Sequence, residues 1–226
     1  MITSRHNPFF KRVRAAVDGD GDEIVIEGPK PVADAIANGW TPIAVIKRGE
    51  TLAAEVFDSL AQTKTPQGVL GLFARPHTTL ASILGRRDTI AVALDGVQDP
   101  GNVGTIVRLA AAFDCAGVLL LPGCANAFGP KAIRASVGAI LHVPVVNVTA
   151  RELLDSNIPL YAADAGGNGI EPPTRNAILI FGSEGAGVSD ELRSAAKLVG
   201  IRTSSRVESL NVASSAAILL SRTYRL

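Results

Sequence analysis

A two-part α/β fold with a largely parallel sheet is the architecture that this 226-residue sequence predicts. Three observations predict it. Short apolar runs alternate with helical stretches along the whole chain. Residues 90–94 (Ile-Ala-Val-Ala-Leu) are apolar at every position, the pattern of a strand buried on both faces of a sheet. Three polar or glycine-rich loops each follow an apolar strand and lead into a helix. In parallel sheets ligands sit beyond the carboxyl ends of the strands, where such loops lie.

The elements follow in order. Asn7-Pro8 starts a helix running to about residue 17, and the Asp/Gly cluster 18–22 is a turn. Residues 24–26 form a short strand, 32–37 a helix, 43–46 a strand, 52–60 a helix and 69–73 a strand. The alternation predicts a small module over residues 1–76, again with a largely parallel sheet. Pro76, Thr78-Thr79 and Gly85-Arg86-Arg87 mark 77–88 as a linker. The second module covers 89–226. Its strands are expected at 90–94, 117–121, 143–148, 160–163, 177–181 and 198–201, with helices between most of them.

Composition limits the function. Apolar residues make up 47% of the chain, enough for a sizeable core, and the net charge is +1. Neither a disordered tail nor a broadly basic nucleic-acid binder has this balance. One local bias stands out. Arg5, Lys11, Arg12 and Arg14, with His6 among them, precede any acid and form either a solvated helix face or a set of phosphate contacts. The two cysteines, Cys115 and Cys124, are spaced for neither a zinc site nor a redox pair. With no secretory leader at the start of the sequence, the reducing cytoplasm is the expected compartment. Uncharged runs such as 115–130 are interrupted by Gly and Pro and fall short of a membrane span.

The first of the three loops opens with Asp95-Gly96-Val97-Gln98-Asp99-Pro100-Gly101-Asn102. Asn102 stands where a helix N-cap belongs. In the helix that follows, Ile106, Leu109, Ala110 and Phe113 share one face. Arg108 lies on the other, among Gly104, Thr105, Ala111, Ala112 and Cys115. An Arg set among small residues suits close packing against a ligand or a partner, although a surface Arg would look the same. The second loop is Gly182-Ser183-Glu184-Gly185-Ala186-Gly187, with Ser189 or Asp190 capping the next helix. Its glycines permit close backbone approach, yet it matches neither the dinucleotide fingerprint nor the phosphate loop. The third, Glu208-Ser209-Leu210-Asn211, precedes an uncharged helix over 212–220. Ser209 or Asn211 is suited to cap it. A helix apolar nearly all round is buried on more than one side, and Arg222 and Arg225 complement the dipole at its end.

Together, these three segments resemble the motifs of the SpoU/TrmH group of RNA ribose 2′-O-methyltransferases, within the SPOUT superfamily. The first motif corresponds to Asn102 through Arg108, the second to Gly182-Ser183-Glu184-Gly185, and the third to Glu208-Ser209-Leu210-Asn211-Val212. The N-terminal module resembles that family's ribosomal-protein-like RNA-binding domain through Ile2-Thr3-Ser4-Arg5, Asn7-Pro8, Glu27-Gly28 and Thr65-Pro66-Gln67-Gly68.

The resemblance implies a SPOUT domain tied in a trefoil knot, a topology that general rules of chain connection would not suggest. It implies S-adenosylmethionine as cofactor, held around Gly182, Ile201 and Leu210 with Gly185 and Asn211 nearby. It implies methyl transfer to a ribose 2′-hydroxyl served by Arg108, Asn102, Glu184, Ser209 and Asn211. It also implies a homodimer that uses no metal. RNA contacts fall to Arg5, Asn7, Lys11, Arg12 and Lys30. Ribosomal RNA is the first expectation for the substrate. Transfer RNA, or a non-catalytic RNA-binding assembly factor on the same scaffold, are the alternatives. The family pattern has Pro and Met after the third-motif Ile and a Gly two positions later. Here Arg202, Thr203 and Ser205 stand there, a change that bears on cofactor affinity.

Overall fold

The computed structural model describes residues 1–19, 21–63, 65–167, 171–204 and 206–224. Ser205 and Arg225, both singled out in the sequence, fall outside them. The chain divides into two compact units: residues 1–77 with 128–134, and residues 78–127 with 135–226.

The first unit is a three-stranded sheet with helices on both faces. Helix α1 (Pro8–Asp18) starts at Asn7, whose Oδ1 accepts from Phe9 N at 2.8 Å, and ends at Gly19 in the left-handed region. Its buried stripe, Phe10, Val13, Ala16 and Val17, packs in one core with Val25, Ile46, Leu70 and Leu72. Strands β1 (Glu23–Glu27) and β2 (Pro42–Lys47) flank β3 (Val69–Ala74), and both pairings are antiparallel. The parallel sheet expected here is therefore corrected. Helix α2 (Pro29–Ala37) does carry the chain from β1 to a strand of the same direction. After α3 (Ala54–Asp58), however, β3 inserts between those two strands and runs against both. Alternation of strands and helices reveals the crossover but not the inserted strand. The segment 128–134, far away in sequence, belongs to this unit: the Arg75 guanidinium lies 4.0 Å above the Phe128 ring, and Arg134 Nη1 donates to Gln62 Oε1 at 3.2 Å.

The second unit is a six-stranded, wholly parallel sheet in the order β6-β5-β4-β8-β7-β9. The strands are β4 (Ile90–Asp95), β5 (Val118–Leu120), β6 (Val145–Asn147), β7 (Leu160–Ala163), β8 (Ala177–Gly182) and β9 (Lys197–Val199). The two central strands, β4 and β8, are buried at every residue except the last, as their unbroken apolar sequences require. The stretch read as a linker holds α4 (Leu80–Leu84), opened by a Thr79–Ser82 capping box, with Ile83 buried in the main core of this unit. Helices α5 (Pro100–Ala112) and α9 (Val212–Thr223) pack together, α7 (Ala150–Asp155) packs on α8 (Asp190–Ala195), and α6 (Pro130–Ser136) joins β5 to β6. From β4 the chain moves outward to β5 and β6, then crosses to β7 and doubles back to β8. The carboxyl ends of β4 and β8 thus mark the point where winding reverses, the place for a ligand in an open parallel sheet.

Two backbone crossings fix the loops there. Gly167 and Gly200 pass so closely that a Cβ on Gly167 would lie 2.5 Å from the Val199 carbonyl carbon, and one on Gly200 would lie 2.6 Å from the Gly167 oxygen. The second crossing is at Gly182, where a Cβ would lie 1.9 Å from the Gly187 carbonyl carbon. Real Cβ atoms do not approach backbone so closely, so glycine is the residue that permits these paths.

Candidate functional site

Hydrogen bonds join the three loops, and two of them, the one after β8 and the one before α9, line a cavity of about 430 Å3. That is within the usual range for small-molecule sites. Its walls come from residues 163–165 at and after β7, 181–187 at and after β8, Val199 at the end of β9, Ile201 beyond the crossing, and 208–210 before α9.

The loop after β8 is pinned at both ends. Ser183 N donates to Gly187 O at 3.1 Å, and Gly187 N returns a bond to Ser183 O at 3.0 Å. Ala186 N adds a bond to Ser183 Oγ at 3.2 Å. Glu184 and Gly185 are left exposed at the tip, and a Cβ on Gly185 would meet nothing within 4 Å. Gly185 is thus not required by the protein's own packing; its bareness keeps the cavity wall open. Asp95, at the end of β4, accepts from Ser189 N at 2.8 Å and ties the far end of the loop to the sheet.

The helix starts differ from expectation in an informative way. Asp99, not Asn102, caps α5, accepting from Gly101 N at 2.5 Å and Asn102 N at 3.1 Å. Asp99-Pro100 reads as a turn in sequence, but Pro100 is the first helical residue, so the cap falls one place before it. The Asn102 side chain is thereby released from capping. Its Nδ2 donates to Glu184 Oε1, and its Oδ1 accepts from Asn211 Nδ2 at 3.2 Å. Asn211 is the residue that caps α9, its Oδ1 accepting from Ala213 N at 2.9 Å and Ser214 N at 3.2 Å. Residues from the three loops are therefore joined in one chain, Asn211 to Asn102 to Glu184, although 109 positions separate Asn211 from Asn102 and 82 separate Asn102 from Glu184. Ser189 begins α8 without a side-chain cap bond.

Of the residues expected at the site, Gly182, Glu184, Gly185, Ile201, Ser209 and Leu210 line the cavity. Asn102 and Asn211 join it through Glu184. Arg108 does not line it within one chain; it is exposed, and no ion pair holds it among the described residues. Six positions beyond Asn102 on an α-helix is 600° of rotation and about 9 Å of rise, which turns Arg108 to another side. Its small-residue surroundings are only partly open, since Gly104 and Cys115 are buried. Of the three departures from the family pattern, Arg202 is exposed and Thr203 lines the cavity. In the first unit, Arg5, Lys11 and Lys30 are exposed, while Asn7 is occupied in capping α1 and Arg12 in a bond to Glu23.

The charged residues lining the cavity are Asp164, Glu184 and Glu208, all acids. Asp164, which sequence reasoning missed, is the first residue after β7. The rule that places ligands beyond strand ends was enough to single it out. Arg193 Nε donates to its carboxylate at 2.7 Å and holds the carboxyl below the usual range; partial burial opposes this and the Gly166 N–H, also at 2.7 Å, reinforces it. An acidic cavity suits a cationic ligand. Among the described residues no group of three or more His, Cys, Asp or Glu is placed to hold a metal ion, and no helix is long and apolar enough to cross a membrane. Burial pushes the Cys115 thiol up to about 12 and raises that of Cys124. Neither is suited to act as a thiolate nucleophile.

The fold and this cavity define a class: a parallel α/β domain with a cavity of small-molecule size at the carboxyl ends of β7, β8 and β9, beside the two glycine crossings. The model of the SpoU rRNA Methylase family matches residues 89–221, and the chain belongs to that family, with its SPOUT fold. It is 32% identical over 226 residues to the 23S rRNA (guanosine(2553)-2′-O)-methyltransferase RlmP of Bacillus subtilis, covering 87% of this chain and 86% of that protein. It is 33% identical over 171 residues to the mouse mitochondrial rRNA methyltransferase 3, of which it spans 41%. Among solved structures it resembles an AdoMet-bound rRNA methyltransferase of Sinorhizobium meliloti, with TM-score 0.87, 27% identity, and 98% of this chain and 96% of that one covered.

Proposed function

We propose that the protein transfers a methyl group from S-adenosylmethionine to a ribose 2′-hydroxyl of RNA, with ribosomal RNA as the substrate class. The observation that carries this reading is the hydrogen-bonded chain Asn211–Asn102–Glu184 beside a cavity lined by Gly182, Gly185, Ile201 and Leu210. The residues present fit the cofactor: the volume is adequate, glycine backbone is exposed, and three carboxylates favour a cation. When bound, S-adenosylmethionine supplies an activated methyl group on a positively charged sulfur. Ile201, Thr203 and residues 208–210, from the C-terminal stretch that the resemblance ties into a trefoil knot, line one wall of the site.

The harder half of the reaction is the alcohol, a weak nucleophile that must shed its proton. Arg108 stabilises the developing alkoxide and orients the hydroxyl; a guanidinium is a poor base in proteins. Asn102, Glu184 and Asn211 hold the loops in register so that donor and hydroxyl meet in line, which lowers the barrier by several kcal/mol. Ser209, on the cavity wall, is placed to contact the substrate. Arg108 is turned from its own chain's cavity, so it reaches the reaction centre from the second copy of a homodimer. The exposed part of α5 and the half-buried Ala217 and Ile218 of α9 provide surface for that copy. The first unit captures RNA through Arg5, Lys11 and Lys30, with Asn7 and Arg12 as further contacts.

The test is Arg108→Ala. Cofactor binding by calorimetry is expected to stay within about twofold, while turnover falls about 100- to 1,000-fold, the usual loss when one charge-stabilising donor is removed. Normal turnover would end the proposal. Absence of any cofactor binding by the native protein would favour the assembly-factor alternative.

A further inference from the structure

We infer that Asp164 is the acceptor for the ribose hydroxyls of the cofactor, and so the residue by which the cavity selects a nucleoside with an intact diol. This rests on the cofactor assignment above.

Four observations lead to it. Asp164 ends β7, the strand paired with β8, and β8 feeds the glycine loop. In dinucleotide-binding folds the acid that takes the ribose also stands beyond the glycine loop's own strand, so a glycine loop and a diol-binding carboxylate are a known working pair. Second, Asp164 is the fixed acid of the cavity. Its carboxylate is held by Arg193 Nε and Gly166 N at 2.7 Å each, its backbone N–H bonds Val199 O at 2.9 Å, and its carbonyl accepts from Gly167 N at 3.1 Å. Glu208 is exposed, and Glu184 is committed to Asn102. Third, the Asp164 side chain is only 22% exposed, so a bond made there meets little competition from water. Fourth, a carboxylate has about four acceptor sites, and two are used. A vicinal diol offers two donors to fill the remainder.

The protein's other use for Asp164 is structural: the Arg193 pair steadies α8, and the backbone bonds steady the Gly167–Gly200 crossing. The experiment must separate the two roles. Calorimetry on the full chain would use S-adenosylhomocysteine and its 2′-deoxy and 3′-deoxy analogues as probes. The native protein is expected to bind at least one deoxy analogue about 10- to 100-fold more weakly, the usual worth of a bond to a charged group. In Asp164→Ala, S-adenosylhomocysteine is expected to weaken by a similar factor and the discrimination to vanish. Asp164→Asn, a neutral acceptor of the same shape, should retain a few-fold discrimination. Equal binding of all three probes by the native protein overturns the inference, and needs no variant that folds. Discrimination that persists in Asp164→Ala overturns it too, since a structural role weakens every probe alike. Failure of the native protein to bind S-adenosylhomocysteine at all would instead sink the cofactor assignment, and this inference with it.

Discussion

Gly71 in β3 and Gly182 in β8 both stand where a Cβ has no room, but different things fill the space. A Cβ on Gly71 would lie 2.4 Å from the Phe73 ring and 3.0 Å from Val32 Cγ2, both side chains. A Cβ on Gly182 would lie 1.9 Å from the Gly187 carbonyl carbon and 2.1 Å from Val188 N, both backbone. In the first unit the glycine serves packing: it makes space for an aromatic ring and for α2 over an antiparallel sheet. In the second it serves topology, letting one stretch of chain cross another and return a loop to the cavity. Side chains can repack around an intruding methyl, whereas a hydrogen-bonded backbone crossing cannot.

The sharpest way to break this comparison is to place alanine at each. Gly182→Ala is expected to cost about 3 kcal/mol or more and to abolish cofactor binding, because the Ser183–Gly187 pairing must open. Gly71→Ala should cost about 1–2 kcal/mol and leave cofactor affinity unchanged. Urea unfolding with parallel calorimetry checks both. A Gly182→Ala protein of native stability would refute the crossing as drawn. Gly185→Ala completes the set. Its Cβ meets no protein atom, so stability should hold within about 0.5 kcal/mol while cofactor affinity falls.

The next effect in size concerns the residue chain that spans the three loops. Asn102→Ala removes the link between Glu184 and Asn211 without touching the cavity wall. Cofactor affinity should stay within a few-fold and kcat drop about 10- to 100-fold, since a positioning interaction is lost. If affinity and kcat fell together, Asn102 would belong to the cofactor's wall and not to the reaction's alignment.

The second unit was far more legible in sequence than the first, for a physical reason. Strands buried on both faces are apolar throughout, so residues 90–94 and 177–181 announce themselves, and loops at their ends are where ligands gather. Nothing local in residues 1–76 says that β3 inserts between β1 and β2, because pairing partners are chosen by tertiary packing. The same limit hid the return of 128–134 to the first unit. At the site, residue types were readable but competition for them was not. Asn102 is a good N-cap, and only the structure shows Asp99 taking that role and leaving Asn102 to reach Glu184. Arg108 was legible as unusual on its helix, while its separation from its own cavity shows only in the residues that line that cavity.

Smaller effects are expected from the basic residues near the start of the chain, which the sequence grouped and the structure divides. Lys11 is exposed with no ion pair among the described residues, whereas Arg12 is paired with Glu23. Lys11→Ala should weaken RNA binding and lower the slope of log affinity against log salt by about one ion. Arg12→Ala should change that slope less and stability more. An equal change in slope for both would mean that the Arg12–Glu23 pair opens to admit RNA.

The same pair yields the smallest effect, one that distinguishes the two units by pH. The hydrogen bond from Arg12 holds the Glu23 carboxyl below its usual value of 4.5, with burial opposing and the opposite charge helping. A carboxyl lowered on folding contributes stability that is complete above the unfolded value and lost as pH falls through the folded one. The native chain should therefore lose a little stability below about pH 4.5, and Glu23→Gln should flatten that part of the urea-midpoint profile. Asp164 has the same sign through Arg193. Its loss should register in the second unit as weaker binding of S-adenosylhomocysteine below the usual aspartate value of 3.8, and Glu23→Gln should leave that curve alone. If Glu23→Gln shifted the binding curve, the ionisations of the two units would be coupled, contrary to the separation drawn here.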